Sequence, residues 1–223
     1  MIFSKKQTQK ISSGIIPAAK KQSVLEKLLL WVRGNLFIPD ARKYWVNPSV
    51  AYLKKYIQEN NIDTIVTSGP PHSLHLIGLQ LKKELTIKWL ADFRDPWTNI
   101  DFYDQLMLTA WADRKHHKME LEVIQSADQI ITVTDADARD FLSKGAKSAI
   151  QITNGFDDEF HSEVSLDDHF SLVHIGSIPP ARNHKNLWLA IAELVKKEPS
   201  FKDHFQLKLI GKTDISVIKS VEE

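Results

Sequence analysis

Six short apolar runs alternate with longer segments of helical period between residues 62 and 211. In chain order the runs are IDTIVTSG, TIKWLADF, ADQIITVT, SAIQIT, FSLVHIG and FQLKLIG. They are rich in β-branched and aromatic residues and end close to Gly, Pro, Asp or Asn, which is typical of buried strands. The pattern predicts six β-strands.

Apolar residues at intervals of three and four predict helices between these strands. The predicted helices are Ser23 to Leu36, one opening at Asn47-Pro48, Ser73 to Glu84, about Tyr103 to Gln125, Asp135 to Ser143 and Asn186 to Lys197. Strands that are apolar on both sides and alternate with helices form parallel sheets covered on both faces. The chain is therefore predicted to be a doubly wound, Rossmann-like α/β protein.

The polar stretch EFHSEVSLDDH, residues 159–169, has no period and marks a predicted domain boundary. It separates a domain at residues 46–164 from a second one at 165–223. The second contains one βαβ unit, which is too small to fold alone. Residues 1–45 are predicted to form a separate basic segment, with a loop as far as Pro17 and one helix.

Composition excludes several kinds of protein. The 223 residues contain no cysteine, which rules out disulfides, thiolate catalysis and thiolate zinc sites. No apolar run reaches the ~18 residues that a membrane-spanning helix needs, so a soluble, cytoplasmic protein is predicted. The formal net charge of +1 gives no indication of nucleic-acid binding.

The charge is unevenly distributed, because the segment from Met1 to Trp45 is basic. Its basic residues are Lys5, Lys6, Lys10, Lys20, Lys21, Lys27, Arg33, Arg42 and Lys43, against Glu26 and Asp40. Such a segment fits a peripheral contact with anionic lipid at the inner face of a membrane, a contact with another subunit or a phosphorylated substrate, or a solvated polar tail.

Candidate chemistry lies in the loops after the strands. In parallel α/β sheets, ligands bind beyond the carboxyl ends of the strands, where loops and helix N-termini converge. The loop TSGPPHS brings His72 to such an end. Its imidazole can hydrogen-bond a substrate hydroxyl, or it can cap the next helix. His75, one turn later, is predicted to lie on the surface.

The loop DFRDPWT places Asp92, Arg94 and Asp95 after the second strand. Two carboxylates around an arginine can form an ion-pair network that either holds the loop or binds the hydroxyls of a polyol. Asp95-Pro96 is also a turn signal, so a structural role is expected in either case. Trp97 is predicted to lie in a cleft.

The loop after the fifth strand, GSIPPARNHK, carries Gly176 and then Arg182 to Lys185 just before a helix. Cations at a helix N-terminus are unfavourable unless an anion binds there, so the loop is a candidate phosphate site. The alternative is that the charged groups point into water. The chain has neither a G-x-G-x-x-G fingerprint nor a P-loop, which disfavours a dinucleotide-dependent oxidoreductase.

No metal site is predicted. The segment with His116, His117 and Glu120 reads H-H-x-x-E, which does not match the ligand spacing of known metal sites.

Taken together, these loops resemble a known family. TNGFDDEF followed by FSLVHIGSIPPARNHKNLWLAIAEL is similar to the interdomain segment and donor-domain start of glycosyltransferase family 4-like enzymes, which have the GT-B fold of two Rossmann domains. TSGPPHSLHLIG and WLADFRDPW resemble acceptor-domain loops of a bacterial subgroup. The similarity extends from about Trp45 to Gly211.

The resemblance implies sugar transfer from a UDP- or GDP-linked donor to a glycan or lipid-linked acceptor in cell-surface polysaccharide synthesis, with retention and without an essential metal or other cofactor. It places Gly176, Ser177, Arg182 and Lys185 at the donor phosphates. Arg182 falls where such enzymes have a diphosphate-binding lysine, and arginine keeps that charge. His72, Asp92, Arg94 and Asp95 are placed on the acceptor side as candidate catalytic residues.

Two departures from the family pattern stand out. Residues 1–45 lack the family's first strand and Gly-rich loop, and the chain lacks its Glu-rich donor motif. We therefore expect a fragment of a GT-B enzyme, with an incomplete acceptor domain and the first βαβ unit of the donor domain, inactive alone. The alternative is a non-catalytic α/β module that binds a partner.

Overall fold

A computed structural model describes residues 24–100, 103–157 and 165–222 of the chain, without the side chains of Glu26 and Gln105. Two compact units are present. The first is Gln22–Asp158, and the described part of the second is 165–222. The predicted loop at residues 1–17, the predicted helix start at Ser23 and much of the predicted boundary segment lie outside the described residues.

The first unit contains five helices and four strands in its described part. They are α1 (Val24–Leu36), α2 (Val46–Glu59), β1 (Thr64–Gly69), α3 (Ser73–Glu84), β2 (Lys88–Phe93), α4 (Ala110–Ser126), β3 (Gln129–Thr132), α5 (Asp135–Ser143) and β4 (Ala149–Gln151). Short 3-10 turns lie at Lys43–Trp45 and Tyr103–Leu106. The predicted long helix therefore begins later than expected, where the Thr109 side chain accepts a hydrogen bond from the Ala112 N–H and caps α4.

The four strands form one parallel sheet in the order β1-β2-β3-β4, which confirms the predicted Rossmann-like α/β class. Gly69 is level with Phe93, and Phe93 with Thr132, so these three strands end at one edge. In a parallel sheet this is the edge at which ligands bind.

One face of the sheet holds the core. Trp89, Ala91, Phe93 and Ile130 are buried there against Val123 and Ile124 of α4 and Phe141 of α5. The opposite face carries Val66, Ile150 and Ile152, which are 62%, 44% and 50% exposed. The prediction that helices cover both faces is therefore wrong for the described part of the chain.

Close packing of α3 on the sheet depends on a glycine. A Cβ added to Gly78 would lie 2.4 Å from Nε1 of Trp89, so a side chain cannot be accommodated without a shift. A second cluster joins α2 to α3 through Val50, Ile57, Ile77 and Leu81. These contacts fix α3 and, with it, the loop between β1 and α3.

The second unit is smaller. Its elements are β5 (Phe170–Ile175), a 3-10 turn (Pro180–Arg182), α6 (Lys185–Lys197), α7 (Pro199–His204), β6 (Phe205–Ile210) and α8 (Ile215–Glu222). The two strands are parallel, with Phe170 level with Phe205 and Ile175 with Ile210. This is the predicted βαβ arrangement, extended by α8. No helix in the described ranges is both long and apolar enough to cross a bilayer.

Candidate functional site at the carboxyl ends of the strands

Asp92 lies inside β2, which ends at Phe93 like the predicted run TIKWLADF, so its assignment to the loop after the strand was wrong. It is paired with Ser68 of β1, whose Oγ donates a 2.7 Å hydrogen bond to its Oδ2. Its other oxygen, Oδ1, is buried and has no hydrogen-bond partner. A carboxylate oxygen in this state carries unused acceptor capacity at the sheet edge.

Arg94 connects two loops of the first unit. Its backbone N–H donates to the Gly69 carbonyl over 2.9 Å, and its Nη2 donates to Oδ1 of Asn154. Asn154 belongs to the NGFD segment that follows β4. Arg94 thus links the loop after β2 to the last residue of β1 and to the loop after β4.

The predicted ion-pair network does not form. Among the described residues, Arg94 makes no ion pair with Asp92 or Asp95, and the Asp95 side chain is exposed. Asp92 points to β1 and Arg94 to the loop after β4, so the two groups diverge from the same end of β2.

His72 is placed at the N-cap of α3, but its side chain makes no capping hydrogen bond. It is 8% exposed and stacks on Trp97, with the ring centroids 4.8 Å apart and the planes 3° from parallel. Burial lowers the pKa of His72 to about 4, although Asp40 acts in the opposite direction. Its imidazole is therefore neutral at pH 7 and buried in this structure.

His75 was expected on the surface and is instead fully buried. Its ring stacks on Phe93, and its Nδ1 lies 2.9 Å from Oγ1 of Thr67. The same hydroxyl accepts a 2.9 Å hydrogen bond from Nε1 of Trp89. Burial lowers the pKa of His75 to about 3, so it is a neutral component of the core.

Trp97 also lies in the interior and not in a cleft, since it is 3% exposed. Its Nε1 donates a 3.0 Å hydrogen bond to Nδ1 of His116 on α4. Four residues further along α4, Glu120 accepts bonds from the Thr98 N–H at 3.0 Å and the Thr98 hydroxyl at 2.6 Å. Because positions i and i+4 share a helix face, His116 and Glu120 hold the Trp97-Thr98 turn together.

This pairing explains the H-H-x-x-E segment that the sequence left without a role. His116 and Glu120 are 4% and 2% exposed and act as partners of the DFRDPWT loop, whereas His117 is exposed. No cluster of potential metal ligands occurs in the part of the chain that the structure describes. Lys144, the residue at the C-cap of α5, lies 3.5 Å from Glu120 and gives the buried carboxylate a cationic neighbour.

Asp40 was not singled out from the sequence, yet it occupies the N-terminus of α3. Its Oδ2 accepts a 2.8 Å hydrogen bond from the Ser73 N–H, and its Oδ1 accepts one of 2.9 Å from the Ser73 hydroxyl. A carboxylate is favoured at this position by the helix dipole. The anion position after β1 is therefore filled by the protein itself.

In the second unit, Gly176 follows β5 and Gly211 follows β6, both at positive φ (132° and 131°). A Cβ on Gly211 would lie 2.1 Å from the Gly176 carbonyl oxygen. The strand pairing nevertheless continues, since Ile178 donates to the Lys212 carbonyl over 2.9 Å. Glycine at 211 is required by both the backbone conformation and the close approach.

The remaining predicted phosphate-binding residues lie around this end of β5. Ser177 directly follows Gly176, Arg182 closes the 3-10 turn, and Lys185 is the first residue of α6. Asn183 fixes the loop, because its Nδ2 donates to Oγ of Ser220 on α8 over 3.0 Å. His184, at the N-cap of α6, makes no capping hydrogen bond through its side chain.

No protein-family model matches the chain, and no curated protein matches it. One similar solved structure, described as an S. aureus MnaA-UDP co-structure, has 14% sequence identity and a TM-score of 0.39. The match covers 82% of this chain and 50% of that chain, so the chain spans about half the length of that structure. A likeness at this level assigns no function.

Proposed function

We propose that the chain is the part of a glycosyltransferase, related to the family 4-like GT-B enzymes, that contacts both the acceptor and the diphosphate of a UDP- or GDP-sugar. The observation that carries the proposal is the Arg94–Asn154 hydrogen bond. It joins DFRDPWT and TNGFDDEF, two of the motifs on which the family resemblance rests, at the carboxyl ends of parallel strands.

On the acceptor side, the exposed polar groups are the Arg94 guanidinium and the Asp95 carboxylate, and beside them lies the buried Oδ1 of Asp92, which has no hydrogen-bond partner. Carboxylate acceptors and guanidinium donors suit sugar hydroxyls. His72 is assigned a positioning role, because it is buried on Trp97 and its pKa is too low for it to carry charge at pH 7. It fixes the loop from which Arg94 and Asp95 project.

On the donor side, Arg182, Lys185 and the N-terminus of α6 would bind the diphosphate. The positive groups would stabilise the negative charge that develops on the departing nucleoside diphosphate. The Ser177 hydroxyl would add a hydrogen bond to a phosphate oxygen, and Gly176 lets the backbone approach because it has no side chain. The α3 N-terminus is not assigned a phosphate, since Asp40 already fills it.

The test is isothermal titration of the full chain with UDP and with GDP. We expect one of them to bind and the Arg182→Ala, Lys185→Ala double variant to weaken binding at least ~10-fold, because two charge-assisted contacts are lost. The matched control is Lys196→Ala, at an exposed lysine near the other end of α6. Absence of binding by either nucleotide, or equal binding by the double variant, would overturn the donor-site assignment.

The alternative, a non-catalytic module that docks on a partner, is favoured by one observation. Helix α1 exposes most of its large apolar side chains, including Leu25 at 64% and Leu29 at 58%. A chain that binds no nucleotide but loses a partner when α1 is changed would be such a module.

A further inference from the structure

The last turn of helix α1 is held by close contacts with the segment before α4. Asn35 is 3% exposed, its Nδ2 donates to the Trp31 and Met107 carbonyls at 2.8 and 3.2 Å, and its Oδ1 accepts from the Thr109 N–H at 2.7 Å. A Cβ at Gly34 would lie 2.8 Å from the Leu106 carbonyl oxygen, so the helix and the turn before α4 are in close contact. This end of α1 is therefore firmly positioned.

The rest of α1 exposes its large apolar side chains. The exposed fractions are 86% for Val24, 64% for Leu25, 54% for Leu28, 58% for Leu29, 39% for Trp31 and 55% for Leu36. A helix of a water-soluble protein normally turns its apolar stripe towards the core. An apolar surface of this size on one element indicates a binding surface.

Aromatic and cationic groups continue this surface beyond the helix. Lys43 Nζ donates a 2.5 Å hydrogen bond to the Leu36 carbonyl and lies 4.9 Å from the ring centre of Tyr44. The Arg42 guanidinium lies 5.6 Å from the ring centre of Trp45. Tyr44 and Trp45 are 69% and 59% exposed. We call residues 24–45 the α1 surface.

The α1 surface has a net positive charge. Residues 24–45 contain Lys27, Arg33, Arg42 and Lys43 against Glu26 and Asp40. Asp40 is engaged by Ser73, and in the described part of the chain no carboxylate forms an ion pair with any of the four cations. A negatively charged partner is therefore the electrostatic complement of this surface.

We propose that the α1 surface binds the headgroup and outer acyl region of an anionic lipid bilayer. Exposed leucines enter the acyl boundary, Trp31, Tyr44 and Trp45 lie at headgroup level, and the cations contact the lipid phosphates. This combination favours lipid over a second copy of the chain, because a symmetric dimer through this surface would bring its cations together. The inference does not depend on the proposed enzymatic function.

The experiment is co-sedimentation of the full chain with vesicles of phosphatidylcholine and phosphatidylserine at about 7:3, compared with phosphatidylcholine alone. The variant Leu25→Ser, Leu28→Ser, Leu29→Ser should lower partitioning at least ~10-fold, because buried leucine contributes most of the apolar attachment. Its matched control is Leu142→Ser, Leu187→Ser, Leu189→Ser, at leucines that are 47%, 41% and 68% exposed on other helices.

A second variant tests the charge. Lys27→Gln, Arg33→Gln should reduce binding to the anionic vesicles by about 25-fold, at about 5-fold per cation, and should leave any binding to phosphatidylcholine unchanged. Its control is Arg114→Gln, Lys118→Gln, one arginine and one lysine exposed on α4. The effect should shrink as salt is raised.

Three outcomes would overturn the proposal. The wild-type chain does not sediment with anionic vesicles; the leucine variant sediments as well as wild type; or the wild-type chain is a dimer that the leucine variant converts to a monomer while vesicle binding is absent. The last result would assign the α1 surface to contact between copies. Sedimentation equilibrium without vesicles distinguishes it.

Discussion

Nη2 of Arg94 donates a hydrogen bond to Oδ1 of Asn154, 60 residues further along the chain. Arg94 follows β2 and Asn154 follows β4, and β3 lies between these strands in the sheet. The bond thus spans the loops of non-adjacent strands. The two segments are far apart in the sequence, so only the tertiary fold brings them together.

A double-mutant cycle with Arg94→Ala and Asn154→Ala should give a coupling free energy of about 0.5–1.5 kcal/mol, the range for an ordinary hydrogen bond, because both side chains are exposed and water weakens the contribution of the charged donor. Urea unfolding provides the measurement. The comparison pair is Arg139 and Asp135, which are 71% and 60% exposed and should couple by only about 0.3–0.5 kcal/mol. Equal coupling in the two cycles would contradict a defined loop-to-loop contact.

Glu120→Ala should destabilise the first unit by about 2–4 kcal/mol, because the Thr98 N–H and hydroxyl would be left buried without their acceptor. Glu122→Ala is the control on the same helix. Glu122 is 43% exposed and paired with Lys83, so its loss should change the free energy of unfolding by less than about 1 kcal/mol. A similar loss of unfolding free energy in both variants would mean that Glu120 does not hold the Trp97-Thr98 turn in place.

Lowering the pH should destabilise the chain through His72 and His75. Both imidazoles are buried and neutral, with pKa values lowered to about 4 and about 3 from 6.5. Between the folded and unfolded pKa values the unfolded state binds more protons, so the stability present above pH 6.5 is lost as pH falls. From pH 6.5 to 5 the loss should be about 1.6 kcal/mol for each histidine.

The pH dependence is checked by urea unfolding at steps between pH 7.5 and 4.5. The other titratable groups near the two rings are Asp40 and His116. His72→Phe keeps a flat ring against Trp97 and should flatten the pH slope by about one proton, whereas His184→Gln, at an exposed histidine, should not. An unchanged slope in His72→Phe would rule out this residue as a source.

Gly211→Ala should destabilise the second unit by about 2 kcal/mol or more, because it combines a positive φ with a clash against the Gly176 carbonyl. Gly155→Ala is the matched control. No atom lies within 4 Å of a Cβ built at Gly155, and its φ is not positive, so this variant should be neutral within about 0.5 kcal/mol. Thermal unfolding of both variants makes the comparison, and equal melting temperatures would contradict the steric argument.

The sequence by itself determined the secondary structure of this protein to a large extent. The helices Ser73–Glu84 and Asp135–Ser143 have the predicted bounds, and all six predicted strands are present. These elements follow from local rules, because apolar period and turn residues act over a few positions. The same rules placed Arg94, Asp95, Gly176 and Ser177 at strand ends.

Only the tertiary structure decided the environment of each side chain. The sequence predicted that His75 lies on the surface. In the structure its ring has a hydrogen-bond partner in Thr67 and stacks on Phe93. His116 and Glu120 became partners of Trp97 and Thr98 for the same reason. A polar group can be buried when distant residues satisfy it, and the spacing of neighbouring residues does not encode such partners.

The tertiary structure also decided which face of the sheet is covered by helices. Apolar residues on both faces of a strand predict two covered faces, and they do so regardless of whether covering elements are present. In the described residues α3, α4 and α5 supply one layer, while Val66 and Ile152 on the other face are at least half exposed. Local periodicity shows which surfaces of a strand are apolar. The packing of whole helices and strands determines which of those surfaces are buried.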